Sequence, residues 1–366
     1  MPLNLESVAL VAITKGGTKL LTRLKAALPQ ADAFVPEKFK DEAPFASPVQ
    51  EPLKELLADL WPRYRGIVAV VSLGALVRST ATLLKDKHTD PGLIAIDEAG
   101  RFVISVLSGH LGGANALANE LAERIGATPV ITTASDSLGT IGVDILGRDL
   151  GWVLEGIENV TTVSACVVND EPVGIFQEAG EPTFWPKDRP LPRNLRTLQS
   201  LEALTSTPLS ACLIITDRLV TPPLALARKT VVYRPKSLVL GVGCDRGVPL
   251  EELETLVMKT LQERGLSFLS VRALATIDIR KNEPAIVQFA QTRGLPLLTF
   301  AKEELNRVKD VPNPSTMAMK YVGVIGVAEP SAILGGNFGE LIVPKVKLKK
   351  ATLAIVRVRF EGEQHG

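Results

Sequence analysis

The sequence predicts an α/β protein with two α/β domains, largely parallel in their sheets and joined by a small middle region. Three observations carry this. Short runs rich in Val and Ile alternate with helical patterns, as expected of strands covered on both faces by crossover helices. The chain has 366 residues, more than one average domain. Two such stretches flank a segment of different texture, which holds a run rich in Pro and charge at 181–194. The predicted domains are 1–150, 151–235 and 236–366.

In chain order, residues 8–13 read as a strand. A helix follows at 18–28, with Leu20, Leu21, Leu24 and Leu28 on one face. A second helix covers about 49–60, and the apolar run 67–71 is a buried strand. Strands at 93–96 and 102–107, a helix at 114–125 and a strand at 129–132 complete the first domain. The middle region shows a helix at 157–167, a strand at 172–177, an extended linker at 181–194 and a short strand at 213–215. A boundary falls near 232–237. Beyond it come a strand at 238–242, a helix at 250–263, helices at 283–292 and 302–308 around a strand at 296–300, and closing strands at 341–343 and 352–359.

Composition narrows the function. Lys plus Arg number 41 against 40 Asp plus Glu, so bulk positive charge does not drive nucleic-acid binding. Cys166, Cys212 and Cys244 are odd in number and widely spaced, and the His are only His88, His110 and His365. No zinc set or disulfide framework can be read from these. The N-terminal apolar run lacks a basic leader, and no stretch approaches the roughly 20 apolar residues of a membrane span. The expectation is a soluble cytoplasmic protein without membrane or nucleic-acid partners.

Five segments can carry chemistry. In the first, a strand runs into Ser108, Gly109, His110, Leu111, Gly112 and Gly113, and a helix with Asn115 follows. Glycines allow sharp turns and close approach, and free N–H groups at the helix start can bind an anion. A tight strand–helix turn is an equal reading. In the second, Gly74 follows a buried strand, and Arg78 can pair with carboxylates, whereas Lys85 and Lys87 read as a solvated helix end. The third is the glycine-rich stretch with Gly241, Gly243, Cys244, Arg246 and Gly247. It echoes a dinucleotide fingerprint, but all three glycines precede the helix that Pro249 opens. An anion loop with Arg246 projecting into a site fits better, with Cys244 a half-buried structural thiol rather than a nucleophile. In the fourth, Asp278 is either a carboxylate base or a helix cap. In the fifth, Glu329 stands at a helix start with Pro330 and Ser331, either as a dipole partner or as a base.

Several of these stretches together resemble one family. The run from Leu76 through Asp136, with SGHLGGANA at its centre, is similar to the N-terminal signature of the cobalt-precorrin-5A hydrolase (CbiG) family. NDEPVGIF resembles its middle region. GVGCDRG, RALATIDIRKNEP, GLPLLTF, PSTMAM and GVAEPSAIL resemble its C-terminal set. The resemblance covers about residues 66–360 in order. It departs from the family's usual Gly-Cys-Arg-Arg-Gly-Thr in having Asp245 and Val248, which removes a positive charge and a hydroxyl.

The resemblance implies a hydrolase of anaerobic cobalamin (vitamin B12) biosynthesis. Its substrate is a contracted tetrapyrrole whose δ-lactone is opened with release of acetaldehyde, giving cobalt-precorrin-5B. Cobalt arrives inside the substrate and no cofactor is implied; neighbouring enzymes of the pathway are the expected protein partners. Lactone opening needs an activated water and a stabilised oxyanion. His110 is the first choice of base because its pKa class suits neutral pH, followed by Glu329 and Asp278. Arg78, Ser108, Gly109, Gly112, Gly113, Asn115, Gly243, Cys244, Arg246 and Gly247 are the expected substrate contacts. Two competing readings are a non-catalytic carrier of corrinoid intermediates and a nucleotide-dependent oxidoreductase suggested by Gly241 and Gly243.

Overall fold

The computed structural model describes residues 7–86, 89–186 and 189–360. Lys87, His88 and His365 lie outside the described residues. The chain divides into two compact units, Met1–Asp149 and Leu150–Gly366, and three sheets.

The first unit holds a seven-stranded sheet. Its strands are β1 (Val8–Ala12), β2 (Asp32–Pro36), β3 (Ser47–Val49), β4 (Gly66–Val70), β5 (Gly92–Ile96), β6 (Phe102–Leu107) and β7 (Thr128–Val130), in spatial order β3-β2-β1-β4-β5-β6-β7. β1, β4 and β5 are buried along their whole length, which is why they read as unbroken apolar runs. Helices α1 (Lys15–Ala27) and α4 (Ala114–Ile125) supply Leu20, Leu24, Leu117 and Leu121 to the core on one face. Helices α2 (Leu53–Leu60) and α3 (Leu73–Thr80) supply Leu57, Leu60 and Leu76 to the other. A short helix, α5 (Ala134–Ser137), follows β7.

One reversal decides where loops open. Every neighbouring pair is parallel except β5 and β6. The C-terminal end of β6 therefore faces the edge opposite to that of β4. The loop carrying Gly74 opens on one edge, and the loop carrying His110 on the other.

The second unit holds two five-stranded sheets. The first comprises β8 (Val153–Glu155), β9 (Val173–Gln177), β10 (Leu195–Leu198), β11 (Ala211–Ile215) and β12 (Thr230–Arg234), in order β10-β9-β11-β12-β8, parallel but for β8. Helices α6 (Val160–Val168) and α7 (Ala203–Ser206) accompany it. The middle region thus carries a full sheet of its own, and residues 230–234, expected near a boundary, form one of its strands. The other sheet comprises β13 (Leu238–Cys244), β14 (Val271–Ile277), β15 (Leu297–Phe300), β16 (Glu340–Leu348) and β17 (Ala351–Arg357), in order β15-β14-β13-β17-β16. Helices α8 (Leu250–Glu263) and α9 (Pro284–Thr292) bury Leu253, Val257, Ile286 and Phe289 against one face. α10 (Lys302–Leu305), α11 (Thr316–Tyr321) and α12 (Ala328–Gly335) complete the unit.

Gly241 and Gly243 lie within β13 rather than in a loop. A Cβ on Gly241 would stand 2.0 Å from the Ala328 carbonyl oxygen, and one on Gly243 would stand 2.7 Å from Thr352 Oγ1. These glycines admit α12 and β17 to close contact. The dinucleotide reading fails for this physical reason.

The two sheets of this unit are tied by a buried charge. Asp217, 0% exposed, follows β11 and accepts two hydrogen bonds from Arg357 at the end of β17, from Nε at 2.7 Å and Nη2 at 2.8 Å. Ser237, just ahead of β13, donates a third at 2.9 Å. Paired in this way, a buried carboxylate is tolerated; alone it would be very costly.

Candidate functional site

In the first unit, the parallel pairing of β6 with β7 brings the loops after them together. Residues 108–113 form a closed turn. Ser108 adopts φ 54°, and Gly113 φ 78°, a region suited to glycine and costly for serine. The Ser108 carbonyl accepts from Ala114 N at 3.3 Å, and the Gly109 carbonyl accepts from Asn115 N at 3.0 Å. Cβ atoms on Gly109 or Gly112 would collide with Asn115 Oδ1 at 2.5 Å or Ser108 Cβ at 2.4 Å. The turn thus satisfies two of the helix-start N–H groups that were candidates for holding an anion, which corrects that expectation for Ala114 and Asn115.

His110 is the centre of a polar cluster. Its Nδ1 lies 2.9 Å from Asp144 Oδ1, and its Nε2 lies 2.8 Å from Asp136 Oδ2 and 3.1 Å from Ser135 Oγ. Arg148 Nη1 donates to the carbonyls of His110 and Leu111, fixing the turn. The hydrogen bond to Asp144, with Asp136 adding to it and burial opposing, pushes the imidazole pKa up to about 9. Burial acts against ionisation of Asp136, but hydrogen bonds from Thr133 and His110 hold its carboxyl below the usual range. At neutral pH the ring therefore carries two protons, one toward each aspartate. It stands as a proton donor, where the sequence suggested a resting base.

Asn115, 6% exposed, is fully engaged within the protein. Its Oδ1 accepts from Ser105 Oγ at 2.7 Å, and its Nδ2 donates to Thr133 Oγ1 and Asp136 Oδ2, both at 2.9 Å. It positions Asp136 and has no amide hydrogen left over for a ligand. Arg78 is exposed on α3. Its guanidinium folds back to 3.5 Å from the Cβ position of Gly74, at the edge opposite His110, so the two do not converge.

The second unit has an open pocket of about 500 Å³ at the end of β13, within the size range of small-molecule sites. Ile279, Met317 and Tyr321 give it an apolar wall; they are 61%, 61% and 70% exposed. Lys345, Lys347, Lys349 and Lys350 of the β16–β17 hairpin, with Arg280, give it a positive rim. Gly243, Cys244 and Glu329 line it, whereas Arg246, Gly247 and Asp278 do not.

Glu329 is 1% exposed and accepts three N–H donors. Asn313 N donates at 3.0 Å, Asn313 Nδ2 at 2.8 Å and Lys345 N at 2.8 Å. It pins the pocket wall to β16, so its lone pairs are already engaged, and a role as free base does not fit. Asp278 opens a one-turn 3-10 helix, and the cap of α9 is Glu283. The capping reading for Asp278 is corrected. Glu283 Oε1 accepts from Gly247 N at 2.8 Å, so that loop amide, expected to face an anion, is satisfied internally. Arg246 is exposed beside it. Burial, with the charge of Glu283 adding, pushes the Cys244 thiol up to about 12, so it stays protonated. Among the described residues no three His, Cys, Asp or Glu side chains are grouped so as to hold a metal ion, and no helix is long and apolar enough to cross a membrane.

Sequence reasoning missed Ser135, Asp136, Asp144 and the hairpin lysines. For the lysines a signal existed, because Lys345 and Lys347 alternate with Val346 and Leu348 at the strand period. The aspartates gave none, since the pairing that brings them to His110 is made through the sheet.

Comparison with known proteins follows the same division. Three family profiles match in order: Cobalamin synthesis G N-terminal at 55–136, Cobalamin biosynthesis central region at 141–235, and Cobalamin synthesis G C-terminus at 238–356. A cobalt-precorrin-5A hydrolase from Priestia megaterium is 40% identical over 357 residues, covering 96% of this chain and 95% of that one. One from Salmonella typhimurium is 32% identical over 360 residues, covering 96% and 97%. A solved structure of a cobalamin biosynthesis protein G homolog from Sulfolobus solfataricus is 21% identical, with a TM-score of 0.37, and covers 97% of this chain and 98% of that one. At 40% identity along nearly the whole of both chains, this protein belongs to the cobalt-precorrin-5A hydrolase family of cobalamin biosynthesis.

Proposed function

We infer that the protein is a cobalt-precorrin-5A hydrolase, which opens the substrate's δ-lactone and releases acetaldehyde to give cobalt-precorrin-5B. The near-complete match to the Priestia megaterium enzyme carries this reading, and the lysine-rimmed pocket supports it. A tetrapyrrole is a broad apolar ring bearing carboxylates. The wall of Ile279, Met317 and Tyr321 suits the ring, and the four lysines suit the carboxylates. The cobalt belongs to the substrate, and the reaction needs no organic cofactor, because the conjugated macrocycle accepts the electrons when the two-carbon fragment leaves. A cytoplasmic setting and handover from neighbouring enzymes of the pathway belong to the same reading.

The test is anaerobic incubation with cobalt-precorrin-5A, following acetaldehyde and product mass. Stoichiometric acetaldehyde over many turnovers is expected. Binding without acetaldehyde would replace the hydrolase with a carrier. Lys347→Ala combined with Lys349→Ala should raise KM roughly 10-fold with kcat little changed, and less so at high salt. An unchanged KM would remove the pocket from substrate binding.

A further inference from the structure

We propose that Ser135, His110 and Asp144 form an acyl-transfer triad, with Ser135 the nucleophile that opens the lactone. The proposal rests on the hydrolase reading for its substrate and on the geometry of the first unit alone for its chemistry; it takes nothing from the pocket of the second unit. Ser135 Oγ lies 3.1 Å from His110 Nε2, and Asp144 Oδ1 lies 2.9 Å from Nδ1 of the same ring. A nucleophile on one ring nitrogen and an orienting carboxylate on the other is the arrangement that activates serine. Ser135 enters the cluster because α5 follows β7, and β7 lies beside β6. Ser135 is half-buried, and the His110 side chain is 16% exposed and that of Asp144 19%, so all three are partly shielded from water.

The chemistry balances without a co-reactant beyond water. Once the ring has given up its Nε2 proton, above about pH 9, Ser135 Oγ bonds to the lactone carbonyl carbon as its proton passes to Nε2. The bond from that carbon to the ring oxygen breaks, and the oxygen takes the proton from Nε2. A Ser135 ester and a free hydroxyl remain. Water then gives a proton to Nε2 and bonds to the ester carbon, and Oγ leaves with the proton, freeing the carboxyl group.

Asp136 gives the triad a control. It competes with Ser135 for Nε2, at 2.8 Å against 3.1 Å, and is held there by Thr133 and Asn115. Among the described residues, Asp136 from α5 and Asp144 from the segment beyond it hydrogen-bond the ring; Arg148 contacts the backbone of the same turn. With both aspartates in place the ring gives up its second proton near pH 9. Ser135 is activated above that value, and Asp136→Asn moves activation to lower pH.

The experiment treats the full-length protein with a fluorophosphonate probe from pH 7 to 10 and locates the adduct by peptide mass. The expected adduct is on Ser135, rises with a midpoint near pH 9, falls at least roughly 100-fold in His110→Ala, and shifts its midpoint downward in Asp136→Asn. No adduct on Ser135, or one indifferent to His110, overturns the triad. In parallel, Ser135→Ala is assayed with cobalt-precorrin-5A above about pH 9, where the ring is a base. A wild type that releases acetaldehyde beside an equally active Ser135→Ala sinks the proposal and leaves the hydrolase standing. A wild type that releases none sinks the hydrolase reading and the lactone assignment, and labelling then judges the triad alone.

Discussion

A histidine held between two carboxylates serves stability as well as chemistry. The folded pKa of His110, about 9, lies above its ordinary 6.5. Its contribution is therefore fully present below about pH 6.5 and is lost as pH rises through about 9. The cluster is partly open to water, which reduces the figure to about 1–2 kcal/mol. Melting temperature should fall for the wild type between pH 6.5 and about 9 relative to His110→Gln, whose curve should be flatter. Parallel curves would mean that the ring is not protonated in the native state. Glu329 shows the opposite use of a carboxylate. Backbone and side-chain N–H groups surround it, so its role is to hold Asn313 and Lys345 where the pocket needs them.

Among elements, α12 shows how packing sets composition. The helix reads Ala-Glu-Pro-Ser-Ala-Ile-Leu-Gly, and its small residues meet a strand glycine with no room between backbones. Gly241→Ala places a methyl 2.0 Å from a carbonyl oxygen, and no flexible side chain can yield. We expect a loss of about 1–3 kcal/mol or more, read as a lowered urea midpoint; an unchanged midpoint would mean that α12 shifts freely. What the sequence made legible follows from periodicity. The helix expected at 250–263 is α8, Leu250–Glu263, because its apolar stripe and charged first turn agree. The strand at 230–234 was hidden by the Pro235 and Lys236 that follow it, which read as a linker. β2, Asp32–Pro36, was not seen because only Ala33, Phe34 and Val35 lie between an aspartate and a proline, too brief an apolar run to read as a strand. In the site, His110 stood out as a rare residue in a glycine turn. Its partners Ser135, Asp136 and Asp144 are 25, 26 and 34 residues away, a distance that strand pairing bridges and local pattern does not.

At the scale of the molecule, the second unit should behave as one body in spite of its two sheets. Asp217, Arg357 and Ser237 lock them together through a carboxylate that water does not reach. Leu219 N also donates to the Gly265 carbonyl, and Ser267 N to that of Asp217. Removing one partner of such a pair costs about 3–5 kcal/mol. Arg357→Ala in the full-length chain should lower the stability of this unit by that amount, read by calorimetry, and should begin to separate the melting of its two sheets. A wild type in which the two sheets melt separately would show that the lock is weak.

The position of that lock has a consequence for how such a chain could be divided. The central-region profile ends at residue 235 and the C-terminal one begins at 238, so sequence marks a seam at which the gene can be cut. Splitting the gene there would send Asp217 to one polypeptide and Arg357 to the other, leaving a buried carboxylate without its guanidinium, while, among the described residues, Arg357 would keep only Glu340. The seam in the sequence is thus no seam in the folded unit, and a cut there costs the buried carboxylate its partner unless the two pieces are made together and associate.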